Sequence, residues 1–203
     1  MYSIKQTVST LLLLTGAASL LQAAPTTYEI DAVHSGISFK IRHLVGQVPG
    51  SFADFKGEVV FDPEHPENSS TMATIEVKSI DTGNDRRDGH LRNEDFFNVE
   101  KFPTITFKST SWKETGEHEY EVTGDLTILD NTHPVTLDVT YFGEAEGRNG
   151  TKLGGWEGTT TINRTDFGIH DPSGVTLGDK VQITIDIQAA AKEEHHEEHM
   201  EKH

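Results

Sequence analysis

The sequence predicts an all-β fold, and three observations carry that prediction. Apolar and polar residues alternate with period two along most of the chain, turn-forming residues separate the alternating runs, and a single short segment reads as helix. Successive strand side chains point to opposite faces, so each run has one apolar and one polar face.

From the N-terminus, the first element reads as an export leader. Lys5 supplies a positive start, and Leu11–Leu14 with Ala17–Leu21 form an apolar stretch too short to span a bilayer. Small residues follow at Ala23 and Ala24. Cleavage is placed after Ala23, because cutting one residue later would leave Pro25 at the new terminus. Removing 23 of 203 residues leaves 180, a size that suits one all-β domain over residues 24–191. A His- and Glu-rich tail then fills 192–203.

Within the domain, short strands are expected at Tyr28–Asp31, Glu58–Phe61, Tyr120–Leu129 and Gly155–Arg164. Clear alternation marks the others. Ile37, Phe39 and Ile41 alternate with Ser38, Lys40 and Arg42. Ala73, Ile75 and Val77 alternate with Thr74, Glu76 and Lys78. Ile105 and Phe107 alternate with Thr106 and Lys108. Val135, Leu137, Val139 and Tyr141 form a further run, as do Val181, Ile183, Ile185 and Ile187. That makes about nine strands, rich in Thr, Val and Ile. Asp62-Pro63, Thr115-Gly116, Asp130-Asn131 and Gly147–Gly150 supply turns. The helical segment runs from about Asp85 to Asn98, with Leu91, Asp95 and Phe96 on one face.

One short helix cannot cover nine one-sided strands. Either two sheets stack into a filled sandwich, or one sheet curls and closes on itself as a barrel. Strands of about eight residues are roughly 26 Å long, and a barrel built from them could enclose an extended hydrocarbon chain.

Composition excludes several classes. The formal net charge is −16, and −17 once Lys5 leaves with the leader, which repels nucleic acid and anionic headgroups. No segment after the leader approaches membrane-helix length. There is no cysteine, hence no thiol catalysis and no disulfide. His34-Ser35 with Asp31 contains the residue types of a catalytic triad, but strand neighbours face opposite ways and would not pair. No nucleophile elbow, zinc-protease motif, phosphate loop or dinucleotide fingerprint is present, so the chain reads as a binding protein, not an enzyme.

Several ordered motifs resemble the YceI-like family of polyisoprenoid-binding proteins. They are Asp31-Ala-Val-His34-Ser35-Gly-Ile-Ser-Phe39-Lys-Ile-Arg42-His43, Gly50-Ser-Phe52, Phe55-Lys-Gly57 and Ser79-Ile-Asp81-Thr-Gly-Asn84-Asp-Arg-Arg87-Asp88-Gly-His90-Leu91. Asp95-Phe-Phe97, Phe102-Pro103-Thr-Ile-Thr-Phe107, Gly124–Thr127, Pro134–Leu137 and Ile162–Gly168 continue the series. The resemblance spans about Tyr28 to Ala189. It departs at Leu129-Asp130-Asn131, where the family more often has a basic-and-glycine turn. The resemblance implies an extended, lipocalin-like antiparallel barrel, exported to the periplasm, with a long-chain isoprenoid-type lipid or quinone in its lumen.

On that reading Phe39, Ile41, Ile75, Val77, Phe107, Leu137, Val139, Ile183 and Ile185 line the tube. Burying ten ligand carbons there gains about 8 kcal/mol, comparable with micromolar affinity before immobilisation is subtracted. Arg42, Asp81, Asn84, Arg87, His90, Arg164 and His170, with His43, are candidates for a polar head at the mouth. Around Arg86, Arg87 and Asp88 the competing reading is an Asp–Arg network that pins the loop and helix to the rim. An isologous dimer through an exposed face is compatible with such a barrel. In the tail, His195, His199 and His203 repeat every fourth residue beside His196. The tail reads as disordered, acidic and solubilising; the alternative is that on a helix these histidines would share one face, a set suited to zinc, nickel or copper.

Overall fold

A computed structural model of the chain describes residues 24–171 and 177–192. The leader before Ala24 and the tail histidines His195, His196, His199 and His203 lie outside the described residues. The elements in order are β1 (Thr26–Ile30), β2 (Gly36–His43), β3 (Gly46–Phe52), β4 (Phe55–Phe61), β5 (Ser70–Glu76) and β6 (Ile80–Asp81). Then come α1 (Asp85–Arg92), β7 (Thr104–Gly116), β8 (Glu119–Ile128), β9 (Asn131–Glu146), β10 (Lys152–Asn163) and β11 (Leu177–Ala191).

The alternating strands bury their apolar faces by curling. The sheet runs β1–β4–β5–β7–β8–β9–β10–β11, and β11 returns to pair with β1, so eight antiparallel strands close a barrel. Closure, and not a stacked sandwich, resolves the alternative left open by periodicity. The remaining strands extend this wall at one end. β11 pairs with β2 through Leu177–Asp186 and with β1 through Ala189–Ala191, so β1 and β2 are two halves of one interrupted strand position. The interruption is held by Gln188. Its backbone N–H donates to the Ser35 hydroxyl at 3.0 Å, and its carbonyl accepts from the Asp31 N–H at 2.9 Å. β3 and β4 repeat the arrangement beside them, and β6 and β5 repeat it again.

Among the described residues no ladder joins β6 to β7, and α1 with the segment after it fills that gap. Arg92 fastens the helix by donating to the carbonyls of Lys78 (2.9 Å) and Ile80 (2.7 Å). Asn84 caps the helix start by accepting the Arg87 N–H at 3.0 Å. The helix stops at Arg92, six residues short of the expected Asn98. Beyond it the regular helical ladder lapses, with the Phe97 N–H on the Leu91 carbonyl (3.0 Å) and the Val99 N–H on the Arg92 carbonyl (3.1 Å), and Phe96 and Phe97 both pack on the core. The chain instead turns through Asn98 at φ +45°.

Strand boundaries differ from expectation for local reasons. β3, Gly-Gln-Val-Pro-Gly-Ser-Phe, lacks alternation because two of its residues are glycine and one is proline. β7, β9 and β11 extend to 13, 16 and 15 residues, past the alternating runs, because backbone pairing with their neighbours continues through ends where the alternation lapses. Two glycines set the shape of the wall. A Cβ at Gly50 would lie 2.3 Å from the Phe39 ring, and one at Gly124 would lie 2.5 Å from the Phe107 ring. Each phenyl ring therefore lies back over a neighbouring glycine.

Candidate functional site

The inward faces leave space along the barrel axis. An upper cavity of about 220 Å³ is lined by the ends of β2, β3, β10 and β11 together with Leu91, Phe96 and Phe97 from the helical side. A lower cavity of about 160 Å³ lies among β4, β5 and β7–β11. Ile105 and Ile128 line both, so the two spaces are neighbours along the bore, with these two side chains between them. The lower space exists because small residues face inward: Ala73 on β5, and Gly158 and Thr160 on β10. Gly158 sits in register between Val139 and Ile185, which line the same cavity.

The two ends differ in chemistry. At the lower end Phe61 is packed by Trp112 (5.7 Å between centroids), Tyr120 (5.7 Å), Tyr141 (4.6 Å) and Trp156 (5.6 Å), and Tyr28 stands edge-on to Trp156. These rings plug the barrel. Outside them, the Tyr28 hydroxyl donates to Glu144 at 2.6 Å, and Lys152 pairs with the same carboxylate at 2.6 Å. Burial, reinforced by Glu144, raises the Tyr28 phenol above its ordinary range and pushes Tyr141 up to about 12. Burial pushes the Glu144 carboxyl upward too, but the bonds from Lys152 and Tyr28 outweigh it and hold it below the ordinary value. Within the plug the indole N–H groups of Trp112 and Trp156 are buried with no hydrogen-bond partner among the described residues.

At the upper end the lining turns polar and reaches solvent. His43 and Arg87 are exposed, Thr82 is half-buried, and Arg164 is buried. Arg164 is fully engaged. Its guanidinium donates to the carbonyls of Gly178 (3.0 Å), Ile169 (2.7 Å) and Leu177 (3.2 Å) and to Asp179 Oδ1 (3.0 Å). It ties the start of β11 to the turn after β10. Arg87 donates to the Thr82 hydroxyl and carbonyl, both at 2.7 Å, and buried Asp88 accepts from the Thr82 N–H at 3.0 Å. The loop-pinning network therefore centres on Thr82, with the aspartate and arginine on either side of it.

Of the residues singled out in the sequence, Phe39, Ile41, Arg87 and Arg164 line the upper cavity. Ile75, Phe107, Leu137, Val139, Ile183 and Ile185 line the lower one. Val77 is buried in the core and lines neither, because the chain leaves the strand there for a helical turn over Val77–Ser79. Arg42, Asp81, Asn84, His90 and His170 are exposed and also lie outside both linings. Arg42 donates to the Leu44 carbonyl at 3.1 Å, Asp81 accepts the Gly83 N–H at 2.7 Å, and His90 faces Asp95 at 3.5 Å and the Phe96 ring.

His34 and Ser35 lie in the loop between β1 and β2, not on a strand. His34 Nδ1 meets Asp31 Oδ2 at 2.6 Å, while the Ser35 hydroxyl engages Gln188, so the two are not paired as base and nucleophile. Among the described residues no three His, Asp or Glu side chains group to hold a metal ion, and no helix is long and apolar enough to cross a membrane. Sequence reasoning did not assign Leu91, Phe97, Ile169 or Gly158 to the site. Ile105 and Ile162 were open to it by strand parity, whereas Gly158 carries no signal until its neighbours are known.

Closed wall, oily bore, plugged lower end and polar mouth together define a lipocalin-like barrel. The chain belongs to the YceI-like domain family, which matches over residues 28–189. A UPF0312 protein of Ectopseudomonas mendocina is 39% identical over 170 residues, covering 82% of this chain and 88% of that one. Among solved structures, Burkholderia cenocepacia BcnA superposes with a TM-score of 0.72 at 28% identity, over 79% of this chain and 99% of BcnA. A polyisoprenoid-binding domain from Saccharophagus degradans shares the fold with a TM-score of 0.62 at 16% identity, over 82% of this chain and 99% of that domain.

Proposed function

We propose that this chain is a periplasmic binding protein that holds a polyisoprenoid or similar long-chain amphiphilic lipid in its bore, and that it performs no catalysis. The observation that carries the reading is the pair of apolar cavities that adjoin at Ile105 and Ile128. Their volumes of about 220 and 160 Å³ together reach the range of small-molecule sites, about 300–1,000 Å³. Apolar burial is nondirectional, so such a bore selects length and width, and the tail of the ligand lies in it. The head sits at the mouth by His43 and Arg87, the exposed polar residues of the lining. The polyisoprenoid-binding fold neighbour accords with this reading.

Native mass spectrometry of protein isolated from its own cell, followed by lipid extraction, tests it. The expected result is a copurifying long-chain lipid. Protein that carries none, and that takes up no polyprenyl alcohol or quinone in vitro, would overturn the proposal.

A further inference from the structure

The turn between β2 and β3 breaks the usual chemistry of tight hairpins. His43 pairs with Gly46, so Leu44 and Val45 are the two central residues. Such positions favour Asn, Asp and Gly, because a positive φ is required and the tip is wetted. Here Leu44 adopts φ +52°, a conformation that costs a bulky residue about 1–2 kcal/mol. Leu44 is 57% exposed, and Val45 is 98% exposed. Two adjacent aliphatic side chains are thus held in water at a strained tip. Nothing in the packing of the fold accounts for them.

The tip is also placed and charged in a particular way. His43 and Val48, on the two strands that carry it, line the upper cavity, so the tip overhangs the mouth. Residues 32–53 contain no aspartate or glutamate in a chain of net charge −16, while Lys40 and Arg42 are both exposed on β2. The Arg42 side chain reaches the Leu44 carbonyl, which puts its charge at the base of the tip. Nearby Asp179 is paired with Arg164 at 3.0 Å.

We propose that this hairpin tip is a docking point for an anionic phospholipid bilayer. Leu44 and Val45 enter the interface while Lys40 and Arg42 meet the headgroups, and the mouth is thereby set against the source of its ligand. A chain that is otherwise repelled by an anionic surface contacts it through this hairpin, whose residues 32–53 carry no acid. The proposal rests on the lipid-binding reading of the bore, and the test separates the two.

The chain from Ala24 onward, which contains every described element, is sedimented with vesicles of phosphatidylglycerol or of phosphatidylcholine at low ionic strength. Binding to phosphatidylglycerol is expected to exceed binding to phosphatidylcholine. The double variant Leu44→Asn, Val45→Gly installs residues that suit the turn, so it keeps the fold. It is expected to lose at least tenfold in vesicle binding while taking up polyprenyl alcohol as the parent does. Lys40→Gln is expected to weaken binding to phosphatidylglycerol and leave phosphatidylcholine unaffected.

Parent protein that sediments with neither vesicle, or a double variant that binds like the parent, overturns the docking proposal. So does a self-association, seen by analytical ultracentrifugation, that only the parent tip supports. Polyprenyl uptake without vesicle binding sinks the docking point and spares the bore. Vesicle binding by a protein that takes up no lipid sinks the reading of the bore on which the proposal rests.

Discussion

Gly158→Leu is expected to separate ligand binding from folding. A Cβ at Gly158 would lie 3.7 Å from Val139 Cγ2 and 3.9 Å from Ile185 Cβ, ordinary contact distances, so the strand accepts a side chain there. The new side chain projects into a space of about 160 Å³. It displaces about four ligand carbons, each worth about 0.8 kcal/mol of burial. The loss is about 3 kcal/mol, or roughly 200-fold in affinity at 1.4 kcal/mol per decade. The same atoms fill empty apolar space in the unliganded protein and should stabilise it by about 1–3 kcal/mol. Affinity and stability therefore move in opposite directions, which a merely misfolded variant cannot reproduce. Titration with a polyprenyl alcohol can be followed by intrinsic fluorescence, because Trp112 and Trp156 line the same cavity. Thermal melting by circular dichroism gives the stability arm. Unchanged affinity with a native melt would refute the claim that ligand occupies the lower bore.

Three further outcomes are expected. Arg164→Met strips donors from three carbonyls at the rim and should cost about 3 kcal/mol, read from the urea midpoint. Tyr28 and Tyr141 are held protonated in the fold by burial and by Glu144, so their contribution is whole below the ordinary tyrosine value of 10.0 and fades as pH rises toward 12. Urea midpoints at pH 8 and pH 11 should show that loss, and Tyr141→Phe should reduce the difference between them. For the tail, zinc titration calorimetry of the full chain against one ending at Lys192 tests the reading that His195, His196, His199 and His203 bind metal. If the tail binds metal, truncation abolishes binding; unchanged affinity shows that the tail is not a site.

The strands were legible wherever apolar residues alternate without glycine, as at Ile37–Ile41 or Val181–Ile187. β3 was hidden because its glycines and proline erase the period, although its pairing with β2 is regular over seven residues. The helix was placed correctly at its start, Asp85, and overrun at its end, where the chain turns through Asn98 to pack Phe96 and Phe97 on the core. Apolar lining residues were readable by parity, since the inward face of a strand is the apolar face. The mouth was harder to read. Arg164 looks like a free cation in sequence, but the carbonyls that claim it come from three other positions on the chain. The aromatic plug was illegible for a similar reason: Tyr28, Phe61, Trp112 and Trp156 stand far apart until closure brings β1, β4, β7 and β10 around one axis.

That plug makes the bore a cul-de-sac. With Phe61 and its neighbours stopping the far side, a guest that threads in tail-first has to back out along the same path, head leading. If the proposed lipid is handed on, it leaves by the door it entered, so donor and recipient would take turns there.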